Sequence, residues 1–196
     1  MNPEIILASK SERRRQLLSE AGLEFKLMTP DIDEDCLCFK QGCAEALACE
    51  KARTVARRLR KSGSVIIAAD TMVVRGRKIY EKPVDRNDAR AILADLSGKS
   101  HLVVTGICVM DSRGEPVFSS EERTRVWFRR LSMPEIEAYL DTGEPFDKAG
   151  AYGIQGYGRF LVEKISGCFF NVVGLPIGKV NDFLKHFGID LLCRRR

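Results

Sequence analysis

The sequence predicts an α/β fold with a mixed twisted sheet and flanking helices. Short β-branched or apolar runs alternate along the chain with segments whose apolar residues recur at helical spacing, and glycine-containing turns separate the two kinds of segment. No internal repeat, low-complexity segment or linker divides the 196 residues. We therefore expect one domain over residues 1–196.

The predicted elements follow from period and from capping residues. Ser11, Asp85 and Ser132 stand where helices are expected to begin, and Gly22, Gly98 and Gly143 where they end. In chain order the predicted elements are a strand over 4–8, a helix over 12–21, a helix over 44–59, a strand over 65–70, a hairpin of 71–74 with 78–80, a helix within 85–98, strands over 101–111 and 117–128, a helix within 132–143, a strand over 160–165 and a helix over 176–187.

The composition is that of an ordinary globular protein, with 44% hydrophobic and 30% charged residues. The early apolar run at 5–8 is far too short for a membrane span or a signal-peptide core. We therefore expect a cytoplasmic protein with no membrane partner.

The seven cysteines form no pair of C-x-x-C units, so their spacing predicts free thiols rather than a structural metal site. The net charge of +5 indicates an anionic partner, although the tail at 194–196 supplies part of it. Because no continuous stripe of basic and aromatic residues occurs, we expect no nucleic-acid partner.

The stretch "ASKSERRRQLL", residues 8–18, places Arg13, Arg14 and Arg15 in the first turn of a predicted helix. A helix N-terminus carries partial positive charge and disfavours cations there. Either these arginines lie on a solvated face, or an anion binds at the helix start and the guanidinium groups are its ligands.

Two further charged residues stand in apolar surroundings. Lys51 lies in the middle of the apolar stripe of the second helix, so its ammonium must either extend to solvent or enter a cleft beside an anion. Asp70 ends the predicted strand 65–70, where open α/β sheets tend to place ligand sites, although such a residue can also be a turn former or helix cap.

The segment "GEPFDKAGAYGIQG", residues 143–156, is rich in glycine, so its backbone can approach a ligand closely. It carries an acid and base pair, Asp147 and Lys148, together with Tyr152 and Gln155. The Gln155 amide can both donate to and accept from the edge of a nucleobase. A surface loop without function is the alternative.

The ordered set of these segments resembles the Maf proteins, a family of nucleoside triphosphate pyrophosphatases also described as septum-formation proteins. The match extends over nearly the whole chain. The matching segments are S-x-S-x-R-R at 9–14, "PDIDE" at 30–34, "EKA" at 50–52, "ADT" at 69–71, "EKP" at 81–83, "SGK" at 97–99, "DKAGAYGIQG" at 147–156 and "VVGLP" at 172–176.

The resemblance implies two lobes around a substrate cleft, as in inosine triphosphatases. It implies that a nucleoside triphosphate and water give the monophosphate and pyrophosphate, with a divalent cation (Mg, Mn or Co) as cofactor. Asp70 would be the proton acceptor. The remaining implied roles are phosphate and substrate contacts for Ser9, Arg13, Arg14, Lys51 and Lys82, and specificity for Arg13, Thr71 and Gln155.

The AYGIQG pattern is similar to the family branch that acts on dTTP, UTP and modified pyrimidine triphosphates; the branch that prefers 7-methyl-GTP departs from it. Glu12 stands where many members have Pro. The alternatives are a 7-methyl-GTP pyrophosphatase, a nucleotide-binding regulator of septum formation without catalysis, and a nucleic-acid binder that uses the same arginines. The residues leave open whether Asp70 is the base or a metal ligand, and whether the chain forms a homodimer.

Overall fold

A computed structural model describes residues 3–32, 41–59 and 63–193, and it confirms a mixed α/β fold. Three short 3-10 turns lie within residues 142–161, at Glu144–Asp147, Ala149–Ala151 and Gly156–Phe160. The strands and helices are β1 (Glu4–Ala8), α1 (Glu12–Glu20), β2 (Lys26–Leu27), α2 (Cys43–Ala56), β3 (Ser64–Arg75), β4 (Lys78–Tyr80), α3 (Arg86–Leu96), β5 (Ser100–Asp111), β6 (Pro116–Phe128), α4 (Met133–Asp141), β7 (Val162–Ser166), α5 (Phe169–Val173) and α6 (Ile177–Lys185).

The strands hydrogen-bond in the order β2-β1-β3-β5-β6-β7, and β4 pairs with β3 beside this path. β1 is parallel to both β2 and β3, whereas β4 is antiparallel to β3 and β7 is antiparallel to β6. The sheet is therefore mixed, as the sequence predicts.

The chain forms two compact units, and the division crosses three strands. The first unit comprises residues 1–70, 105–122 and 174–196, and the second comprises 71–104 and 123–173. The division of β3 falls between Asp70 and Thr71. The expectation of a single domain over residues 1–196 stays a prediction.

The core of the first unit forms where α2 packs on β1, β3 and β5, with residues such as Ala52, Val55 and Ile66 fully buried. Gly106 on β5 permits this packing. A Cβ atom at residue 106 would lie 2.0 Å from the backbone carbonyl of Ala44, at the start of α2. Only glycine lets the helix approach the strand this closely.

The core of the second unit forms between α3, α4 and the sheet. Leu93 and Leu96 of α3 and Ile136 of α4 are almost completely buried beside Phe128 of β6. The helices begin as the sequence predicts: the Asp85 side chain accepts from the Asp88 backbone N–H at 2.8 Å, and Ser132 with Glu135 forms a capping box.

The prediction that a strand ends at Asp70 is wrong, because β3 continues to Arg75. Its pairing with β1 stops at Ala68, and its pairing with β4 begins at Val73. Asp70 therefore lies in the short interval between two partner strands rather than at a strand end. The predicted hairpin is confirmed, but its first strand is the continuation of β3.

Other differences concern element ends. α2 stops at Ala56, three residues before the predicted end, and β7 begins at Val162 instead of residue 160. The two-residue strand β2 and the five-residue helix α5 were not predicted, because such short elements carry too few residues for a periodic pattern. No helix in the described ranges is long and apolar enough to cross a membrane.

Candidate active site

The start of α1 is organised by its two serines. Ser11 is the N-cap residue, and its side chain accepts from the Arg14 backbone N–H at 3.5 Å, which confirms its predicted role. The Oγ of Ser9 accepts from the backbone N–H of Ser11 at 3.1 Å, and Ser9 is buried. Ser9 therefore shapes the turn before the helix, and its contact with phosphate stays a prediction.

The three arginines of the first turn lie in different surroundings. Arg15 forms an ion pair with Glu12, and both side chains are exposed to solvent. Arg13 is half-buried. The guanidinium of Arg14 donates from Nε to the Gly174 carbonyl and from Nη1 to the Ala69 carbonyl, each at 2.8 Å. Arg14 is thus fixed by two main-chain oxygens, and its predicted phosphate contact stays a prediction.

Lys51 and Asp70 form an ion pair within the first unit. The Lys51 Nζ lies 2.6 Å from Asp70 Oδ1, and the side chains are only 7% and 13% exposed, respectively. The alternative in which Lys51 extends to solvent is therefore wrong. Its partner in the structure is a carboxylate, which neutralises the ammonium where α2 packs on β3. Burial of two charges is tolerated because they pair at hydrogen-bond distance.

Two consecutive residues of β3 therefore each receive a cation from a different helix. Ala69 accepts from Arg14 of α1, and Asp70 accepts from Lys51 of α2. This arrangement places a carboxylate and two cationic groups around residues 69–70, directly after the parallel pairing of β1 with β3 ends. Such a group can bind an anion through its cations and transfer a proton or hold a cation through its carboxylate.

The second unit holds the other three predicted site residues. Thr71 is half-buried on β3, Lys82 is exposed after β4, and Gln155 is exposed at the start of the third 3-10 turn. The segments of Lys82 and Gln155 are tied together, because the Gly150 backbone N–H donates to the Glu81 carbonyl at 3.0 Å. The structure therefore joins the "EKP" segment to the glycine-rich loop.

In that loop, the side chains of Asp147 and Lys148 contact each other, and Lys148 also binds the loop backbone. The Lys148 ammonium lies 2.5 Å from Asp147 Oδ1 and donates to the Glu144 carbonyl at 2.6 Å. Lys148 thereby closes the 3-10 turn at Glu144–Asp147. This contact favours a role for Lys148 in loop shape rather than in contact with a ligand.

Tyr152 of the loop is buried against a histidine that the sequence analysis missed. The Tyr152 hydroxyl lies 2.7 Å from His101 Nε2, and both side chains pack edge-on against Phe128. Burial, with the charge of Arg75 as a second cause, lowers the pKa of His101 to about 4, and burial raises the pKa of Tyr152 well above its usual range. The pair is thus uncharged at neutral pH and anchors the loop.

Residues 3–32, 41–59 and 63–193 contain no group of three His, Cys, Asp or Glu side chains that could hold a metal ion. Asp33 and Glu34 of the "PDIDE" segment, Cys36, Cys38 and the tail at 194–196 lie outside the described residues. Among the described site residues, Asp70 is the carboxylate that could bind a divalent cation.

Comparison with known proteins assigns the family. The model of the family described as Maf-like protein matches residues 4–187. The chain belongs to this Maf family. The resemblance seen in the sequence is therefore confirmed, and the matched range contains every segment that carries it.

Relatives of this Maf-family chain match along almost its whole length. It is 46% identical to a dTTP/UTP pyrophosphatase of Acetivibrio thermocellus, with 96% of this chain and 97% of that protein covered. It is 45% identical to a dTTP/UTP pyrophosphatase of Dictyoglomus thermophilum, with 98% and 100% covered. Among solved structures, a HAM1 protein from Coxiella burnetii aligns with a TM-score of 0.47 and 19% identity over 66% of this chain and 74% of that chain.

Proposed function

We propose that this chain hydrolyses nucleoside triphosphates, with dTTP and UTP as preferred substrates, to the monophosphate and pyrophosphate. The observation that carries the proposal is the buried pair of Lys51 and Asp70, which lies beside the arginine-bearing start of α1 in a member of the Maf family. Relatives named dTTP/UTP pyrophosphatase, at 43–46% identity over most of their length, support the substrate class.

In the proposed reaction, water attacks the α-phosphorus, the bond from that phosphorus to the bridging oxygen of the β-phosphate breaks, and pyrophosphate leaves. Asp70 accepts the proton of the water, or it holds the cation that acidifies the water; the two roles stay alternatives. The ammonium of Lys51, which lies at this carboxylate, would neutralise the negative charge that develops on the phosphates.

Further cationic residues are proposed to bind the triphosphate. Arg13, half-buried at the start of α1, and Lys82, exposed in the second unit, are proposed phosphate contacts. Arg14 also has a framework role, because two of its donors bind the carbonyls of Ala69 and Gly174. A planar guanidinium with five donors can serve both purposes.

The described site residues can bind a divalent cation through one carboxylate. A single carboxylate, Asp70, is available among the described site residues, and Mg²⁺ commonly binds through one or two carboxylates with the phosphate oxygens of its substrate as further ligands. Asp70 would therefore hold the cation together with the triphosphate. When bound, the cation lowers the pKa of water and offsets phosphate charge.

A pyrimidine preference is supported by Gln155. Its side chain is exposed and does not cap the turn that it begins, so the amide can donate to and accept from a base edge. Thr71, with one hydroxyl, is the second proposed specificity residue. A site that hydrogen-bonds a base edge rejects other bases strongly, because its polar groups are then left unpaired.

The proposal is tested by assaying the purified chain with Mg²⁺ or Mn²⁺ against UTP, dTTP, CTP, ATP, GTP and 7-methyl-GTP. We expect equal amounts of monophosphate and pyrophosphate, with the highest kcat/KM for UTP and dTTP. Preference for 7-methyl-GTP would overturn the pyrimidine assignment. Release of inorganic phosphate instead of pyrophosphate, or no hydrolysis of any nucleotide, would overturn the reaction.

A further inference from the structure

Gln155 is the N-cap residue of a 3-10 turn, but the side chain of another residue caps that turn. It precedes the 3-10 turn Gly156–Phe160 in an extended conformation (φ −89°, ψ 177°), which is the N-cap position of that turn. The first backbone N–H groups of such a turn have no partner within it, and the side chain of the N-cap residue usually accepts from them. The side chain of Gln155 does not.

The carboxylate of Glu144 takes that place. Its Oε1 accepts from the Tyr157 N–H at 2.9 Å, and its Oε2 accepts from the Gly158 N–H at 3.2 Å. These are the second and third residues of the turn, whose N–H groups an N-cap side chain would normally bind. The carboxylate of Glu144, which precedes these donors by 13 and 14 residues, therefore satisfies both of them.

Glu144 is itself held in place. Its backbone N–H donates to Thr142 Oγ1 at 3.2 Å, and its carbonyl accepts from Lys148 Nζ at 2.6 Å. Gly156 makes room for the carboxylate, because a Cβ atom at residue 156 would lie 2.2 Å from Glu144 Oε1, and the backbone there has a positive φ of 60°. A glycine directly after Gln155 is thus required by the position of Glu144.

The other side of Gln155 is fixed as well. The Tyr139 hydroxyl accepts from the Gly153 N–H at 3.2 Å, and Tyr152 is anchored on His101. Residues 152–153 and 157–158 are therefore held by side chains of α4, of β5 and of the first 3-10 turn, and the exposed Gln155 stands between these fixed points. A recognition residue whose backbone is already fixed loses less conformational entropy when the substrate binds.

We infer that Glu144 is a positioning residue for substrate selection: by capping the turn in place of Gln155, it holds Gln155 at one orientation and leaves its amide for the pyrimidine edge. The inference rests on the proposed function and deepens it. Without the carboxylate, the donors at 157 and 158 compete for the Gln155 side-chain oxygen or draw in water, and the amide no longer has one orientation.

The test compares Glu144→Gln, Gln155→Ala and the double variant by kcat and KM for UTP and CTP. Glu144→Gln keeps the shape but presents an N–H₂ group to one of the two donors. We expect KM for UTP to rise and the preference for UTP over CTP to fall by about tenfold, while kcat changes by less than about threefold. If Glu144 acts through Gln155, the double variant loses no more selectivity than Gln155→Ala alone.

Glu163→Gln is the matched control, because Glu163 is an exposed carboxylate of the same unit on β7. Glu144→Asp, which keeps the charge on a shorter side chain, replaces Glu144→Gln if the latter does not fold, and is expected to show a smaller loss of selectivity. Unchanged selectivity, or an equal fall in kcat for both nucleotides, overturns the inference. An inactive wild type overturns the proposed function instead.

Discussion

The ammonium of Lys51 lies 2.6 Å from the carboxylate of Asp70, and little of either side chain reaches solvent. Each charge is therefore compensated by the other, so loss of Lys51 leaves the Asp70 carboxylate with little solvent and without this ammonium. In the proposed complex, the phosphates would pair with Lys51 and the cation with Asp70.

Replacement of Asp70 by Asn is expected to lower pyrophosphate release from UTP by about a hundredfold or more, because an amide neither accepts a proton from water nor binds Mg²⁺ as a carboxylate does. Nucleotide binding should remain, since Asn keeps an oxygen for Lys51; calorimetric titration with UTP measures it. Glu24→Gln, at an exposed carboxylate of the first unit, is the control. Wild-type turnover in Asp70→Asn would refute the assigned role.

Replacement of Lys51 by Met is expected to lower the free energy of unfolding by about 3 kcal/mol, because Asp70 is left as a buried, unpaired carboxylate. The double variant Lys51→Met with Asp70→Asn should regain part of that loss while remaining inactive. Urea unfolding measures the stability and pyrophosphate release the activity. Additive effects of the two substitutions on stability would show that the ion pair does not couple these residues.

The arginines of α1 are expected to differ in their effect on stability. Arg14→Met removes two charge-assisted hydrogen bonds to the Ala69 and Gly174 carbonyls, and should lower the free energy of unfolding by about 2 kcal/mol. Arg15→Met removes only the exposed pair with Glu12, and should stay within about 0.5 kcal/mol of the wild type. Thermal or urea unfolding decides, and equal stabilities would contradict the framework role of Arg14.

The buried His101 predicts how stability depends on pH. In the unfolded chain a histidine takes up a proton below about pH 6.5, whereas folded His101, with its pKa lowered to about 4, stays neutral. As pH falls from 6.5 to 4, the unfolded state gains a proton that the folded state lacks, so stability falls by an amount on the order of 3 kcal/mol. Above pH 6.5 this contribution is constant.

His101→Gln removes this titration and still offers a partner to Tyr152. We therefore expect the difference in unfolding free energy between wild type and variant to change between pH 6.5 and 4 and to be flat above 6.5. All other titrating groups are common to both proteins, so the difference isolates His101. A difference that is independent of pH over this range would mean that folded His101 takes up a proton as readily as the unfolded chain.

Local features of the fold could be predicted from the sequence. The cap of Ser11 on α1 and the capping box of Ser132 with Glu135 span three residues, so their spacing alone indicates them. The extent of β3 could not be predicted in this way. Asp70 and Thr71 interrupt an apolar run, and only the change of partner from β1 to β4 explains why the strand continues through them.

The candidate site could likewise be predicted only in part. Lys51 and Asp70 could each be nominated because a charge in an apolar pattern is unusual, but their pairing depends on the packing of α2 on β3. The acceptors of Arg14 are backbone carbonyls, one of them 160 residues away. Because every residue has a backbone carbonyl, the sequence does not indicate which of them accept a hydrogen bond. Glu144 was missed as well, because the 3-10 turn that it caps is too short to give a periodic pattern in the sequence.

The close approach of Gly106 to Ala44 predicts which substitutions a genetic screen would recover. Any side chain at residue 106 would push the start of α2 away from β5, and the same helix carries Lys51. A screen for loss of activity should therefore recover substitutions at residue 106, although Gly106 has no side chain to take part in chemistry. Revertants of such alleles would be sought at the first residues of α2 rather than among the residues proposed to bind nucleotide.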